Sequence, residues 1–179
     1  GEMFLNGEPY SPQTMIEAQQ KGVAMIVQES GTINRITVAA NIFINKEERF
    51  RTGPFFDKKK MNAAAKEILE KIGAGDIDPD ASINTLNFEE RKLVEIARCM
   101  HDDPELLIVD ETTTAISGRG REIIYDIMRK MAADNKAVLF ISHDLEELVS
   151  VCNKVTILRD GVLITSLEQG DMNTHNMKM

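Results

Sequence analysis

The segment LLIVDETTTAIS, Leu106–Ser117, places four apolar residues directly before two adjacent carboxylates, Asp110 and Glu111. A short apolar run bounded by turn residues is typical of a buried strand. Carboxylates at the end of such a strand can hold Mg²⁺ and activate a water molecule, which are the two acidic roles in phosphoryl transfer. The plainer interpretation is an acidic loop after a strand, and the segment alone is compatible with both.

The sequence on either side of this segment predicts the fold class. From Glu105 onward, apolar runs alternate with helical patterns, and this alternation predicts an α/β architecture with parallel strands. The successive segments are LLIV, GREIIYDIMRKMAA, AVLFIS, DLEELVSVC and KVTILRDGVLITS. Asp160-Gly161 lies between two apolar runs, a strong signal for a tight hairpin. The fold is therefore expected to end on an antiparallel pair.

The first 30 residues carry a similar pattern. A strand in EMFLNGEPY is expected to break at Asn6-Gly7, and SPQTMIEAQQKG is expected to form a helix with Ser11 as N-cap and Gly22 as its stop signal. A second strand follows at Val23–Val27. These elements are expected to belong to the same α/β core as the later strands.

Helical patterns dominate the middle of the chain. Apolar residues recur at helical spacing from Met61 to Ile72, with Asp57 as a candidate N-cap. The predicted division is a core of residues 1–29 and 104–168, a helical subdomain of residues 30–103, and a tail of residues 169–179. No internal repeat is found.

Composition excludes several classes of protein. The 179 residues are 42% hydrophobic and 28% charged, as in a soluble globular domain, and the net charge of −8 disfavours binding to nucleic acid. Cys99 and Cys152 show no zinc or disulfide spacing, which favours a reducing, intracellular location. The longest apolar runs are about six residues, whereas a membrane span needs roughly 20.

Polar residues also follow two other predicted strands. Gln28 follows VAMIV and His143 follows AVLFIS. Ligands of parallel α/β sheets gather beyond the carboxyl ends of the strands, where a histidine or amide can contact phosphate, water or magnesium. Each residue alone is better explained as an exposed side chain. Together with Asp110 and Glu111, they favour a functional site.

Six segments in order carry a family resemblance. The chain resembles the ATP-binding cassette of ABC transporters over nearly its whole length, most closely the first of the two cassettes in ATPase subunits of bacterial sugar importers. The segments are VQE (27–29), TVAANIF (37–43), LVEIARCM (93–100), LLIVDET (106–112), FISHDLEEL (140–148) and VTILRDG (155–161). The resemblance implies a partial P-loop NTPase (RecA-like) core with an inserted helical subdomain and a C-terminal hairpin.

The resemblance also implies roles for single residues. It places Gln28 at the Q-loop, contacting nucleotide and Mg²⁺, and Asp110 at the magnesium site of Walker B. Glu111 becomes the general base for water and His143 the switch histidine. The implied cofactors are ATP and Mg²⁺.

The phosphate loop of such cassettes, G-x-x-x-x-G-K-[ST], is not found around any of the eleven glycines. In the family, a segment like GEMFLNG (1–7) follows that loop, so we expect the chain to begin downstream of it. We therefore expect ATP binding by the isolated chain to be weak or absent, and no hydrolysis.

The signature segment departs from the family pattern. LNFEE (86–90) stands where L-S-G-G-Q is expected, which places Asn87 and Glu89 at nucleotide-contacting positions. A carboxylate about 4 Å from a phosphate charge costs on the order of 4 kcal/mol at an effective dielectric near 20. Asn87 with Glu90 is also a capping arrangement, and we favour this helix cap. Threonine replaces the family's proline at Thr112, which is expected to leave that turn less fixed.

The resemblance implies partners. These are the transmembrane permease subunits of a sugar importer and a second cassette, which would place the chain on the cytoplasmic face of the membrane. Ser30–Phe50 is expected to be the coupling surface. The apolar residues of this segment form either an exposed partner patch or the core of the subdomain; they are Ile36, Val38, Ile42 and Phe43.

Two rival functions stay open. A noncatalytic docking module with a degenerate ATP site would explain LNFEE and the threonine turn, whereas Asp110, Glu111 and His143 favour the importer ATPase. An ABC-type ATPase of repair or translation is disfavoured by the acidic charge. Finally, the apolar run Val138–Ile141 is expected to form an uncovered sheet edge through which the chain self-associates.

Overall fold

The computed structural model describes residues 1–27 and 31–173, without the side chain of Ala115. The chain divides into two compact units, Gly1–Leu139 and Phe140–Met179. The predicted boundaries of core, subdomain and tail rest on the change between strand and helical sequence patterns, and they stay a prediction.

The first unit begins with a hairpin. Strands β1 (Phe4–Leu5) and β2 (Glu8–Pro9) pair antiparallel through Asn6 and Gly7, whose φ angles are 52° and 82°. Left-handed backbone at both turn positions is what an Asn-Gly hairpin requires. The predicted break at these two residues is confirmed.

Helix α1 (Met15–Gln20) starts later than expected. Its N-cap is Thr14, whose Oγ1 accepts a hydrogen bond from the backbone N–H of Glu17 at 3.1 Å. The prediction of Ser11 as N-cap is therefore wrong, because a second capping residue lies three positions closer to the apolar residues. Gly22, with φ 86°, follows the helix, and strand β3 (Val23–Ile26) comes next.

The middle of the chain is mainly helical, as predicted. Its regular elements, in chain order, are α2 (Val38–Ile42), β4 (Arg51–Thr52), β5 (Phe55–Phe56), α3 (Lys58–Lys71) and α4 (Phe88–Met100). Short 3₁₀ helices cover Glu47–Phe50 and Ile83–Thr85. Asp57 caps α3 by accepting from Lys60 N–H at 2.9 Å, as expected. The β4–β5 hairpin was not predicted, because two-residue strands are too short to show a periodicity.

The remaining elements follow the predicted alternation. They are β6 (Leu106–Asp110), a 3₁₀ helix (Thr112–Ala115), α5 (Gly118–Ala133), β7 (Ala137–Ile141), α6 (Leu145–Val151), β8 (Lys154–Arg159) and β9 (Val162–Glu168). β8 and β9 pair antiparallel across Asp160 and Gly161, whose φ angles are 51° and 77°. The predicted terminal hairpin is confirmed.

The sheet that carries the candidate carboxylates has the strand order β3-β6-β7. β3 and β6 are parallel, in a register that pairs Val23 with Leu106 and Ile26 with Val109. The carboxyl ends of these two strands therefore lie side by side, as the α/β prediction requires.

The expected apolar partner patch is instead part of the core. Val38 and Ile42 are fully buried and Phe43 is 3% exposed. Phe43 packs its ring edge against Phe50, with ring centroids 4.7 Å apart. The prediction of an exposed docking surface at these residues is wrong, because an amphipathic stripe buries its apolar side against neighbouring helices.

The second unit has a small core of its own. Leu148 from α6, Val155 from β8 and Met172 are buried together. Among the described helices, none combines the length and the apolar character needed to cross a membrane.

Candidate functional site

Asp110 and Glu111 lie where β6 ends, and both side chains are half-buried. Glu111 has φ 45° and ψ 23°, a left-handed conformation that is uncommon for a residue other than glycine. Such backbone strain costs roughly 1–3 kcal/mol and clusters at functional sites. The strand end thus presents two adjacent carboxylates on a strained turn.

Two of the three threonines that follow stabilise this turn. Thr112 Oγ1 donates to the carbonyl of Asp110 and Thr114 Oγ1 donates to the carbonyl of Glu111, both at 3.1 Å. Thr113 Oγ1 is buried and has no hydrogen-bond partner within residues 1–27 and 31–173. Side-chain bonds to the backbone thus hold a turn that sequence reasoning expected to be less fixed.

These residues fit a magnesium ion but not a whole nucleotide site. Mg²⁺ is usually bound through one or two carboxylates plus phosphate oxygens and water, which matches the donor set of Asp110 and Glu111. In the part of the chain that the structure describes, no group of three or more His, Cys, Asp or Glu side chains could hold a metal ion on its own. Phosphate oxygens would have to complete the coordination.

The first turn of α4 carries the segment LNFEE. Asn87 Oδ1 accepts from Glu90 N–H at 2.9 Å, and Glu90 Oε2 accepts from Asn87 N–H at 2.8 Å. This reciprocal pair is the capping box that the sequence predicts. The favoured interpretation of Asn87 as a helix cap is therefore confirmed, whereas a nucleotide contact by Asn87 stays a prediction.

Glu89 points its carboxylate at the next helix. It accepts from Ser117 Oγ at 2.9 Å and from Ser117 N–H at 3.2 Å. A Cβ on Gly120 would lie 3.2 Å from Glu89 Oε1, so the glycine permits this close approach. The structure thereby joins the first turn of α4 to the first turn of α5, which sequence reasoning missed because the partners are 28 residues apart.

The structure does not place the other two predicted site residues, His143 and Gln28, beside the carboxylates. His143 is exposed and lies in the second unit, between the end of β7 and Asp144, the N-cap of α6. Asp144 Oδ1 accepts from the N–H groups of Glu146 and Glu147. Gln28 lies outside the described residues, and its role at the Q-loop stays a prediction.

A groove of about 460 Å³ lies in the first unit, between α1, the residues after α2 and the end of α4. Its rim carries three exposed apolar residues, Met15, Ile16 and Ile33. Buried Asn41 fixes Ile33 by accepting from its N–H at 2.7 Å and donating to its carbonyl at 3.0 Å. Exposed apolar side chains around a groove are typical of a partner site.

The polar wall of the groove is built around His101. Its Nδ1–H donates to the carbonyl of Arg98 at 2.7 Å, which leaves Nε2 to accept from Lys46 Nζ at 3.0 Å. Lys46 also forms an ion pair with Asp102. Burial, together with the nearby cations, lowers the pKa of His101 to about 4, and burial raises the pKa of the neighbouring Cys99 thiol to about 12. Both groups are therefore neutral at pH 7.

Comparison with known proteins decides the family. The family model described as ABC transporter matches residues 1–114. The chain belongs to the ABC transporter family. The carboxylates at the end of β6 and the first turn of α4 both fall within the matched range.

Curated relatives of this ABC chain are import proteins. It is 34% identical over 177 residues to the ribose import ATP-binding protein RbsA of Rhodococcus jostii (strain RHA1), covering 99% of this chain and 35% of that protein. It is 32% identical over 179 residues to the ribose import ATP-binding protein RbsA 2 of Burkholderia pseudomallei (strain 1710b). This match covers 99% of this chain and 34% of that protein. The chain thus spans about a third of the length of these relatives.

Solved ABC structures share the fold. A dimeric ATP-binding cassette in a post-hydrolysis state with ADP and Pi superposes with a TM-score of 0.76 at 18% identity, covering 94% of this chain and 73% of that one. An ABC transporter in an inward-facing conformation superposes with a TM-score of 0.69 at 17% identity, covering 88% of this chain and 62% of that one. The predicted α/β fold of an ABC ATPase domain, with its antiparallel hairpin, is confirmed.

Proposed function

We propose that this chain is part of the nucleotide-binding component of an ABC sugar importer, in which ATP hydrolysis drives carbohydrate uptake. The observation that carries the proposal is the Asp110–Glu111 pair on a strained turn at the end of a buried parallel strand. Relatives named for ribose import support the substrate class. Because the sequence contains no G-x-x-x-x-G-K-[ST] phosphate loop, the proposal assigns the phosphates of ATP to residues outside this chain.

In this proposal the two carboxylates divide the chemistry. Asp110 and Gln28 would hold Mg²⁺, and the bound ion would offset the charge of the phosphates. Glu111 accepts the proton of the attacking water, and His143 contacts the transferred phosphate. Neither carboxylate can act on a phosphate that the isolated chain does not hold, so we expect no turnover by this chain alone.

The test uses the full-length product of the gene. Glu111→Gln keeps the shape of the side chain but cannot accept a proton, so the rate of Mg-dependent ATP hydrolysis should fall at least about 100-fold, the usual contribution of a general base. The matched control is Glu105→Gln, an exposed glutamate just before the same strand, which should leave the rate unchanged. An unchanged rate in Glu111→Gln would show that this carboxylate is not the base.

A noncatalytic docking module is the second candidate. The observation that favours it is Glu89, whose carboxylate occupies the first turn of α4 and is bound to Ser117. A carboxylate at this helix end opposes phosphate binding. A full-length protein that binds its permease but shows no Mg-dependent ATP turnover would select this candidate.

In either case we propose that the chain docks on a membrane permease subunit and thereby lies at the cytoplasmic face of the membrane. Its other proposed partner is a second cassette, and no nucleic acid takes part. The docking surface is the groove rimmed by Met15, Ile16 and Ile33, and its occupant is a helix of the permease. An apolar rim with a polar wall suits an amphipathic helix.

The docking proposal predicts a position-specific effect. Ile16 is 61% exposed, so Ile16→Asp should fold normally and weaken retention of the cognate permease about tenfold or more, because a charge is buried in the interface. Phe55→Asp is the control, since Phe55 is 76% exposed and lies outside the groove. Equal retention of the two variants in a pull-down would refute the assignment of this groove.

A further inference from the structure

Lys92 has an unusual environment for a lysine on a helix. Its side chain is 1% exposed, in the middle of α4. Burying an ammonium group costs several kcal/mol unless it is paired and hydrogen-bonded. Lys92 Nζ donates to the carbonyl of Val27 at 2.7 Å and to Glu95 Oε2 at 2.9 Å. The buried ammonium group of Lys92 is thus directed at the backbone that follows β3.

Glu95 extends the same contact. Its side chain is 5% exposed, and Oε2 also accepts from the N–H of Gly31 at 3.3 Å. One turn further along α4, Arg98 Nη1 donates to the carbonyl of Gly31 at 2.9 Å. The three side chains are spaced three residues apart, so they lie along one side of the helix. They bind the backbone on both sides of residues 28–30.

The contact is made next to the candidate carboxylates. β3 and β6 are parallel, and the last registered pair is Ile26 with Val109. Val27 is the next residue after Ile26, and Asp110 is the next after Val109. The Lys92 ammonium therefore binds the backbone of the residue just after β3, at the level where β6 presents Asp110 and Glu111.

We propose that Lys92 and Glu95 are positioning residues. Their buried ion pair links α4 to Val27 and Gly31. The pair thereby holds the carboxyl end of β3 beside the end of β6 that carries Asp110 and Glu111. The inference rests on the proposed function, since it assigns the pair a role in ATP turnover. A displacement of α4, whose first turn carries LNFEE, is transmitted by this pair to the strand end.

The alternative is that the pair only holds α4 on the sheet. A double variant separates the two roles, because replacing a buried ion pair by apolar residues of similar volume is often neutral for stability. Lys92→Met with Glu95→Leu removes both charges but keeps the packing. Val94→Ala is the matched control: Val94 is fully buried on the same helix and takes no part in the pair.

The first measurement uses this chain. The double variant should unfold at the urea concentration of the parent, while the Gly31 amide, having lost its acceptor, should exchange with solvent at least tenfold faster. Val94→Ala should unfold at lower urea and leave Gly31 exchange unchanged under native conditions. A Gly31 amide that exchanges at the parent's rate in the double variant would overturn the inference.

The second measurement uses ATP turnover by the full-length gene product. The double variant should lower kcat at least tenfold and change the KM for ATP less than threefold, whereas Val94→Ala should keep kcat within twofold. A double variant with the parent's kcat would overturn this inference and leave the proposed function intact. No Mg-dependent turnover in the parent would instead overturn the proposed catalysis, and this inference with it.

Discussion

At the scale of single residues, His101 predicts an acid-dependent loss of stability. Its folded pKa of about 4 is below the ordinary value of 6.5, because burial and the cations around it disfavour imidazolium. Between these pH values the unfolded chain binds a proton at this histidine that the folded chain does not. The contribution of His101 to the free energy of unfolding therefore rises with pH from about pH 4 to 6.5 and is constant above pH 6.5. One proton contributes at most about 1.4 kcal/mol per pH unit.

His101→Gln provides the comparison for this prediction. Glutamine can still donate to the Arg98 carbonyl and accept from Lys46, but it does not titrate. Urea unfolding at several values from pH 4.5 to 7.5 should give a steeper rise of stability with pH in the parent than in the variant. Parallel pH profiles would show that His101 keeps its ordinary pKa in the folded protein.

At the scale of elements, the start of α4 depends on its capping box. Asn87→Ala removes the acceptor for Glu90 N–H, and the free energy of unfolding should fall by about 1 kcal/mol. Glu90→Ala should add less when combined with Asn87→Ala than when made alone, because the two side chains form one reciprocal unit. Chemical unfolding measures both effects.

Glu67→Ala is the control, at an exposed position within α3, and it should change the free energy of unfolding by less than about 0.5 kcal/mol. Equal losses of stability in all three single variants would contradict a capping role.

At the scale of the whole molecule, strand β7 predicts self-association. β7 is the last strand in the order β3-β6-β7, so its outer edge has no neighbouring strand among the described residues, and Leu139 is 51% exposed. An uncovered apolar edge pairs readily with another strand, and a lysine discourages such pairing. Light scattering should show a mass that rises with concentration for the parent and less for Leu139→Lys. Phe55→Lys should behave like the parent, and a monomeric parent at every concentration would refute the prediction.

The sequence by itself determined what local chemistry decides. The alternation after Glu105 is set by side-chain periodicity, and the turns at Asn6-Gly7 and Asp160-Gly161 by residues that accept positive φ. The cap at Asn87 likewise depends on atoms three residues apart. The Asp110–Glu111 pair was visible for the same reason, since both carboxylates directly follow their strand.

The tertiary structure alone decided the contacts between distant residues. Lys92 is buried because Val27, 65 residues away, offers a carbonyl, and Glu89 turns to Ser117 because α4 and α5 begin side by side. Phe43 is core and not a docking surface because Phe50 and His101 pack against its ring. Periodicity shows that a helix has an apolar side. It does not show which segment covers that side or whether a charge on it is paired. Both depend on free energies of burial, which arise only when distant segments meet.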